Sequence, residues 1–126
     1  MNRVFYNKLI RDKIPEKIKS KGESYEIRKI EDEQEFEQEL LKKVIEEASG
    51  LSRVHSRDEF LDEYADLKIV LDSLVELYGF SNADINNAVE KNMTKKGKFD
   101  EQYFLNWSED SDYKSNETPQ GTQVKK

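Results

Sequence analysis

Apolar residues recur at helical spacing in two long stretches, 36–51 and 60–78, and these two stretches organise the chain. Each residue turns a helix by about 100°. On that rule Phe36, Leu40, Leu41, Val44, Ala48 and Leu51 form one stripe in the first stretch. Phe60, Tyr64, Leu67, Val70, Leu71, Leu74, Leu77 and Tyr78 form another in the second. The punctuation agrees with two helices. Asp32 followed by Glu35 reads as a cap with an acid three residues on, and Ser56-Arg57-Asp58-Glu59 is a capping box. The first helix should end near Leu51, with Gly50 loosening its last turn, and the second should stop at Gly79.

The flanking segments are shorter. Residues 12–21 suit a helix capped by Asp12, with Pro15 tolerated in its first turn and Gly22 ending it. Residues 24–30 alternate in character and predict a short strand or extended connection. Ser81-Asn82-Ala83-Asp84 caps a further helix through about Lys96, closed by Gly97. Phe99, Tyr103, Phe104, Leu105 and Trp107 are expected to dock on the other helices as an aromatic closing segment. From Ser108 the chain turns polar, and such a segment cannot bury enough surface to offset its ordering entropy. The expected organisation is an all-α domain over 1–107, a bundle of about four helices with room for one short extended segment, and a disordered tail over 108–126.

The polar positions inside the apolar stripes carry the chemistry. Glu63 falls between Val70 and Leu74 on its helix, Asp66 lies on the border of that stripe, and Glu47 lies at the edge of the other. A carboxylate on a buried face must be paired, protonated or bound to a cation. The turn between the helices is short, so they should lie antiparallel, with Glu46 and Glu47 opposite Glu63 and Asp66. Glu63 and Asp66, three residues apart, share nearly one face. Several carboxylates aimed at one spot suit a hard divalent ion such as Mg2+, with Mn2+ as an alternative. Such an ion bridges phosphates and lowers the pKa of a bound water.

Composition narrows the classes. The chain has 126 residues, 35% of them hydrophobic and 38% charged, and a formal net charge of −6. Its mean hydropathy of −0.96 is low for a compact globule. That points to a thin helical bundle, a tail without structure, or a core completed by a second subunit. A homodimer or higher homo-oligomer is the expected state. The absence of cysteine excludes disulfides and thiolate metal sites, and the lone His55 argues against a histidine-rich zinc site. The acidic balance argues against a stable nucleic-acid partner. No apolar run reaches the roughly 20 residues of a membrane span, and no signal peptide is evident, so the cytoplasm is the expected compartment. Basic residues nonetheless cluster at both ends of the acidic stretch: Arg11 and Lys13 before it, Lys91, Lys95 and Lys96 after it. That arrangement fits a substrate bearing phosphates. No Walker-type glycine loop is present.

Three motifs resemble a known family. Glu46-Glu47, Glu63-Tyr64-Ala65-Asp66 and the opening Tyr6-Asn7-Lys8-Leu9-Ile10-Arg11-Asp12-Lys13-Ile14-Pro15 are similar to the MazG-like superfamily of all-α nucleoside triphosphate pyrophosphohydrolases. That group includes phosphoribosyl-ATP pyrophosphohydrolase, and the likeness covers roughly residues 6–107, with the Lys-Lys-Gly-x-Phe ending at Phe99. The resemblance implies Mg2+-dependent hydrolysis of a nucleoside triphosphate, in a house-cleaning role against non-standard nucleotides, with monophosphate and pyrophosphate as products. It implies Glu47, Glu63 and Asp66 as catalytic metal ligands. It places substrate contacts in the late helix at Lys91, Asn92, Lys95 and Lys96, while Arg11 and Lys13 are read from their charge as phosphate contacts. One position departs: the first motif of the family is Glu-x-x-Glu, and the residue three after Glu47 is Gly50. Glu46 projects within about 40° of the Gly50 direction and is the expected substitute. A catalytically weakened nucleotide-binding or protein-interaction module of the same fold is the alternative.

Overall fold

The computed structural model describes residues 2–109 and 116–117. Its elements are α1 (Ile14–Ser20), α2 (Glu33–Leu51), α3 (Arg57–Tyr78) and α4 (Asn82–Lys96), and no strand occurs among the described residues. The fold is all-α. Segment 24–30 is irregular rather than a strand. A lone extended segment has no neighbouring ladder to take its N–H and C=O groups. Arg28 ties this stretch to Glu35 on the first turn of α2 through paired guanidinium–carboxylate hydrogen bonds. Glu35 is thereby drawn away from the reciprocal half of a capping box.

Local signals account for the helix ends. The Asp32 carboxylate accepts from Gln34 N–H at 3.2 Å, and Ser56 Oγ accepts from Glu59 N–H at 3.1 Å. Ser81 and Asp84 cap α4 reciprocally: Asp84 N–H donates to Ser81 Oγ at 3.1 Å, and Ser81 N–H to the Asp84 carboxylate at 2.8 Å. Gly79 takes φ 76°, which only a residue without Cβ adopts cheaply, and ends α3 there. The first helix departs from expectation. Lys13, not Asp12, occupies its N-cap, and no side chain caps it. Pro15 in the first turn needs no N–H partner there, which removes part of the demand for a cap.

The chain divides into two units, Met1–Val89 and Glu90–Lys126. In the first, α2 and α3 pack on each other through the short connection 52–56. Their seam buries Leu40, Val70 and Leu74, with Phe36, Val44, Leu77 and Leu9 of the N-terminal segment packed around them. Fully burying a side chain of this size contributes roughly 1.5–3 kcal/mol, so three of them make a thin core. In the second unit the aromatic segment is exposed, not docked: Phe99, Tyr103, Phe104, Leu105 and Trp107 all stand largely in solvent. The tail expected beyond Ser108 lies outside the described residues apart from 108, 109, 116 and 117, which are exposed.

Candidate metal centre

Antiparallel packing of α2 on α3 brings the last turns of one helix beside the first turns of the next. Glu47, Glu63 and Asp66 meet there, half-buried, each with one carboxylate oxygen within 4.8 Å of the others. Two oxygens on opposite sides of Mg2+ stand about 4.2 Å apart, given Mg–O distances of about 2.1 Å. Small side-chain rotations therefore close this group on such an ion. The donor set is all oxygen, as a hard cation requires. Burial pushes the Glu47 carboxyl above its ordinary value, and the negative charges of Asp66, Glu46 and Glu63 push the same way against Lys43. Ionised Glu47 is thus held in surroundings with too little positive charge, and a cation relieves that.

Glu46 is not part of this group. Its carboxylate is held by Lys8 at 2.7 Å and by Lys43 at 2.5 Å. Those two hydrogen bonds keep it below the usual carboxylate range. The expected fourth oxygen is therefore engaged elsewhere, although the one-dimensional spacing had allowed it. The physical reason is the direction of the side chain. Glu46 projects toward the N-terminal segment, where Lys8 takes it, while Glu47 turns into the seam.

Gly50 acquires a different meaning. A Cβ built on it would stand 2.7 Å from Glu63 Oε2 and 3.4 Å from Glu63 Cδ. The carboxylate of Glu63 thus lies in the space where a side chain at position 50 would start. The glycine that departs from the Glu-x-x-Glu pattern is the clearance that lets Glu63 sit where it does.

The cationic residues expected at a phosphate divide between the two units. Arg11 reaches Asp66, Nη1 to Oδ1 at 3.4 Å, so the N-terminal segment places one guanidinium at the rim of the carboxylate group. Lys13 is exposed at the N-cap of α1. Lys91, Asn92, Lys95 and Lys96 are exposed on the part of α4 that belongs to the second unit. Two partners were missed from sequence. Lys43 precedes Glu46 and Glu47 by three and four residues, a spacing that signals ion pairs on one helix face. Lys8 lies 38 residues from Glu46, and no local rule links them.

No family model matches the chain, and comparisons with curated proteins and with solved structures return no match either. The resemblance to the MazG-like superfamily therefore stands on the three motifs alone.

Proposed function

We propose that this protein is a Mg2+-dependent pyrophosphohydrolase that converts a non-standard nucleoside triphosphate to the monophosphate and pyrophosphate. The observation that carries the reading is the convergence of Glu47, Glu63 and Asp66, from two helices, on one half-buried spot. Those three carboxylates would hold the ion. When bound, the ion supplies charge neutralisation at the phosphates and activation of water. The remaining work falls to side chains of this chain. Arg11, whose guanidinium lies 3.4 Å from Asp66, would donate to a phosphate oxygen of the substrate. One of the three carboxylates would accept the proton that the attacking water releases. Lys13 is the further contact within this unit that a phosphate-bearing substrate would use.

Among the described residues no helix is long and apolar enough to cross a membrane. We place the enzyme in the cytoplasm, acting as a homo-oligomer. The second reading is a nucleotide-binding module without turnover, favoured by the three-carboxylate set that Gly50 leaves. Pyrophosphate release from a panel of standard and modified nucleoside triphosphates, with and without Mg2+, separates the two. Release that requires Mg2+ and is abolished in Glu63→Gln supports the enzyme. Nucleotide binding without release supports the module, and neither activity overturns both.

A further inference from the structure

The N-terminal segment brings more than cations to the carboxylate group. Val4, Phe5 and Tyr6 stand 67–75% exposed just before Lys8, and neither the metal nor the phosphate contacts use them. A contiguous apolar stretch left in water marks a contact surface more often than a lone residue does. Leu9, shortly after them, packs against the core instead. Asn7 separates the two behaviours. Its φ of 46° lies in the left-handed region, which asparagine enters more readily than most residues. The chain bends there, with solvent-exposed residues before the bend and residues that bind the hairpin after it.

Tyr6 is nonetheless tied to the carboxylates by a short series of contacts. The Lys8 ammonium lies over its ring, 5.6 Å from the centroid, within reach of a cation–π contact. The same ammonium is 2.7 Å from Glu46 Oε1, and Glu46 adjoins Glu47 of the carboxylate group. The hydrogen bond to Glu46 raises the Lys8 ammonium against its desolvation, and the charges of Glu46 and Glu47 add to the shift. Lys8 is therefore close to both acids. Arg11, further along the same segment, reaches Asp66 at 3.4 Å. Ring, ammonium and guanidinium are thus carried past the carboxylates by one stretch of chain.

Resting on the nucleotide substrate proposed above, we infer that Tyr6 is the platform on which the base of that nucleotide stacks. A nucleotide has its phosphates at one end, its base at the other and a ribose between. With the phosphates at the carboxylate group and Arg11, the base lies about a sugar's length away, where the segment presents the Tyr6 ring. Stacking uses the π-face that every base has and is indifferent to groups on the base's edge. An enzyme for non-standard nucleotides needs that indifference, because a site built to hydrogen-bond one base edge rejects altered ones.

Other aromatics fit this role less well. Phe5 adjoins Tyr6, but among the described residues no cation or ring lies against it. The Tyr6 ring is held by Lys8, and a held ring loses less freedom when a ligand binds. Phe99, Tyr103, Phe104 and Trp107 are exposed as well, but they belong to the second unit, whereas Tyr6 shares a unit with the carboxylates.

Two uncleavable probes test this, each with Mg2+: α,β-methylene-ATP, which has a base, and methylenediphosphonate, which has none. In titration calorimetry of the full chain, Tyr6→Ala should weaken α,β-methylene-ATP about fivefold or more, as loss of a base–aromatic stack does. Its affinity for methylenediphosphonate should not change, and Tyr6→Phe should bind both probes as the wild type does. The chain has one tryptophan, at the exposed position 107. Tyr6→Trp in a Trp107→Phe background therefore emits from position 6 alone. α,β-Methylene-ATP should quench that emission and methylenediphosphonate should not. Equal losses for the two probes in Tyr6→Ala would reduce Tyr6 to a brace for Lys8 and overturn the inference. Unchanged affinity for both would overturn it too, and in either case the metal and phosphate reading stands. If neither probe binds the wild type, the nucleotide reading fails and takes the inference with it.

Discussion

Single residues at the α2–α3 junction decide whether this hairpin is merely acidic or is built to hold an ion. Glu47 lies in the seam with its carboxyl pushed up by burial and by neighbouring negative charge. For such a group the folded state binds its proton more tightly than the unfolded chain does. Its contribution to stability is fully present below the ordinary value of 4.5 and is lost as pH rises through the raised folded value. At pH 7 without a divalent ion, Glu47→Gln should therefore raise the melting temperature by a few degrees. Millimolar Mg2+ should stabilise the wild type, by about 2.7 kcal/mol at a hundredfold excess over its Kd, and leave Glu47→Gln unmoved. Thermal melts of both proteins with and without Mg2+ check this; equal responses would remove Glu47 from the site.

Gly50 gives a second residue-scale outcome, in which two effects of one methyl group oppose each other. Replacing a helical glycine with alanine favours the helix by roughly 0.5–1 kcal/mol. The same methyl would stand 2.7 Å from Glu63 Oε2 and force that carboxylate to move. Gly50→Ala should thus hold or raise the melting temperature without Mg2+ while weakening Mg2+ affinity several-fold. Titration calorimetry reads the second effect directly. Unchanged affinity would mean that Glu63 needs no clearance.

At the scale of elements, the N-terminal segment is held to the hairpin by Lys8–Glu46, Arg11–Asp66 and the apolar contact of Leu9. The hydrogen bond to Glu46 raises the Lys8 ammonium above its ordinary value of 10.5. Those to Lys43 and Lys8 lower Glu46 below its ordinary 4.5. A lowered acid contributes above its unfolded value and is lost as pH falls through its folded one. A raised base contributes below its unfolded value and is lost as pH rises through its folded one. The Lys8–Glu46 tie is therefore complete between about pH 4.5 and 10.5, and weakens outside both limits. Both groups are substantially exposed, so a double-mutant cycle of Lys8→Ala and Glu46→Gln should give a coupling of about 0.2–1 kcal/mol. Hydrogen-exchange protection of residues 2–13, relative to intrinsic rates, should fall below pH 4 and in either variant. Exchange indifferent to both would detach this strap from the hairpin. Mg2+ stabilisation should survive Glu46→Gln, since Glu46 faces Lys8 and Lys43 rather than the other carboxylates.

At the scale of the whole molecule, the thin core sets the behaviour. Three buried side chains leave much of the apolar surface of α2 and α3 unspent. In the proposed homo-oligomer, folding is linked to association by mass action. The melting temperature should then climb as protein concentration rises from about 1 to 100 μM. A concentration-independent melt in the wild type would mean that the hairpin is stable alone.

The sequence by itself determined the elements with the strongest local signals. The boundaries of α2 and α3 follow from stripes of period 3.6 and from Asp32, Ser56 and Gly79, because capping and periodicity act within a few residues. Glu63 and Asp66 were legible for the same reason, as acids three apart against an apolar stripe. Expectations failed where the outcome depended on distant partners. Residues 24–30 left strand and extended connection open, and the connection forms, with no second strand among the described residues to pair with them. The aromatics from Phe99 to Trp107 promised a docking segment, but apolarity does not say what a side chain will meet. Glu46 and Glu47 differ by one position in the chain and by everything in surroundings: one is claimed by Lys8 from 38 residues away, the other turned into the seam. Gly50 read as a lost ligand until the position of Glu63 showed what fills the space. Local chemistry fixes which helices form, whereas the choice of partner for each charge requires the packing that brings remote residues together.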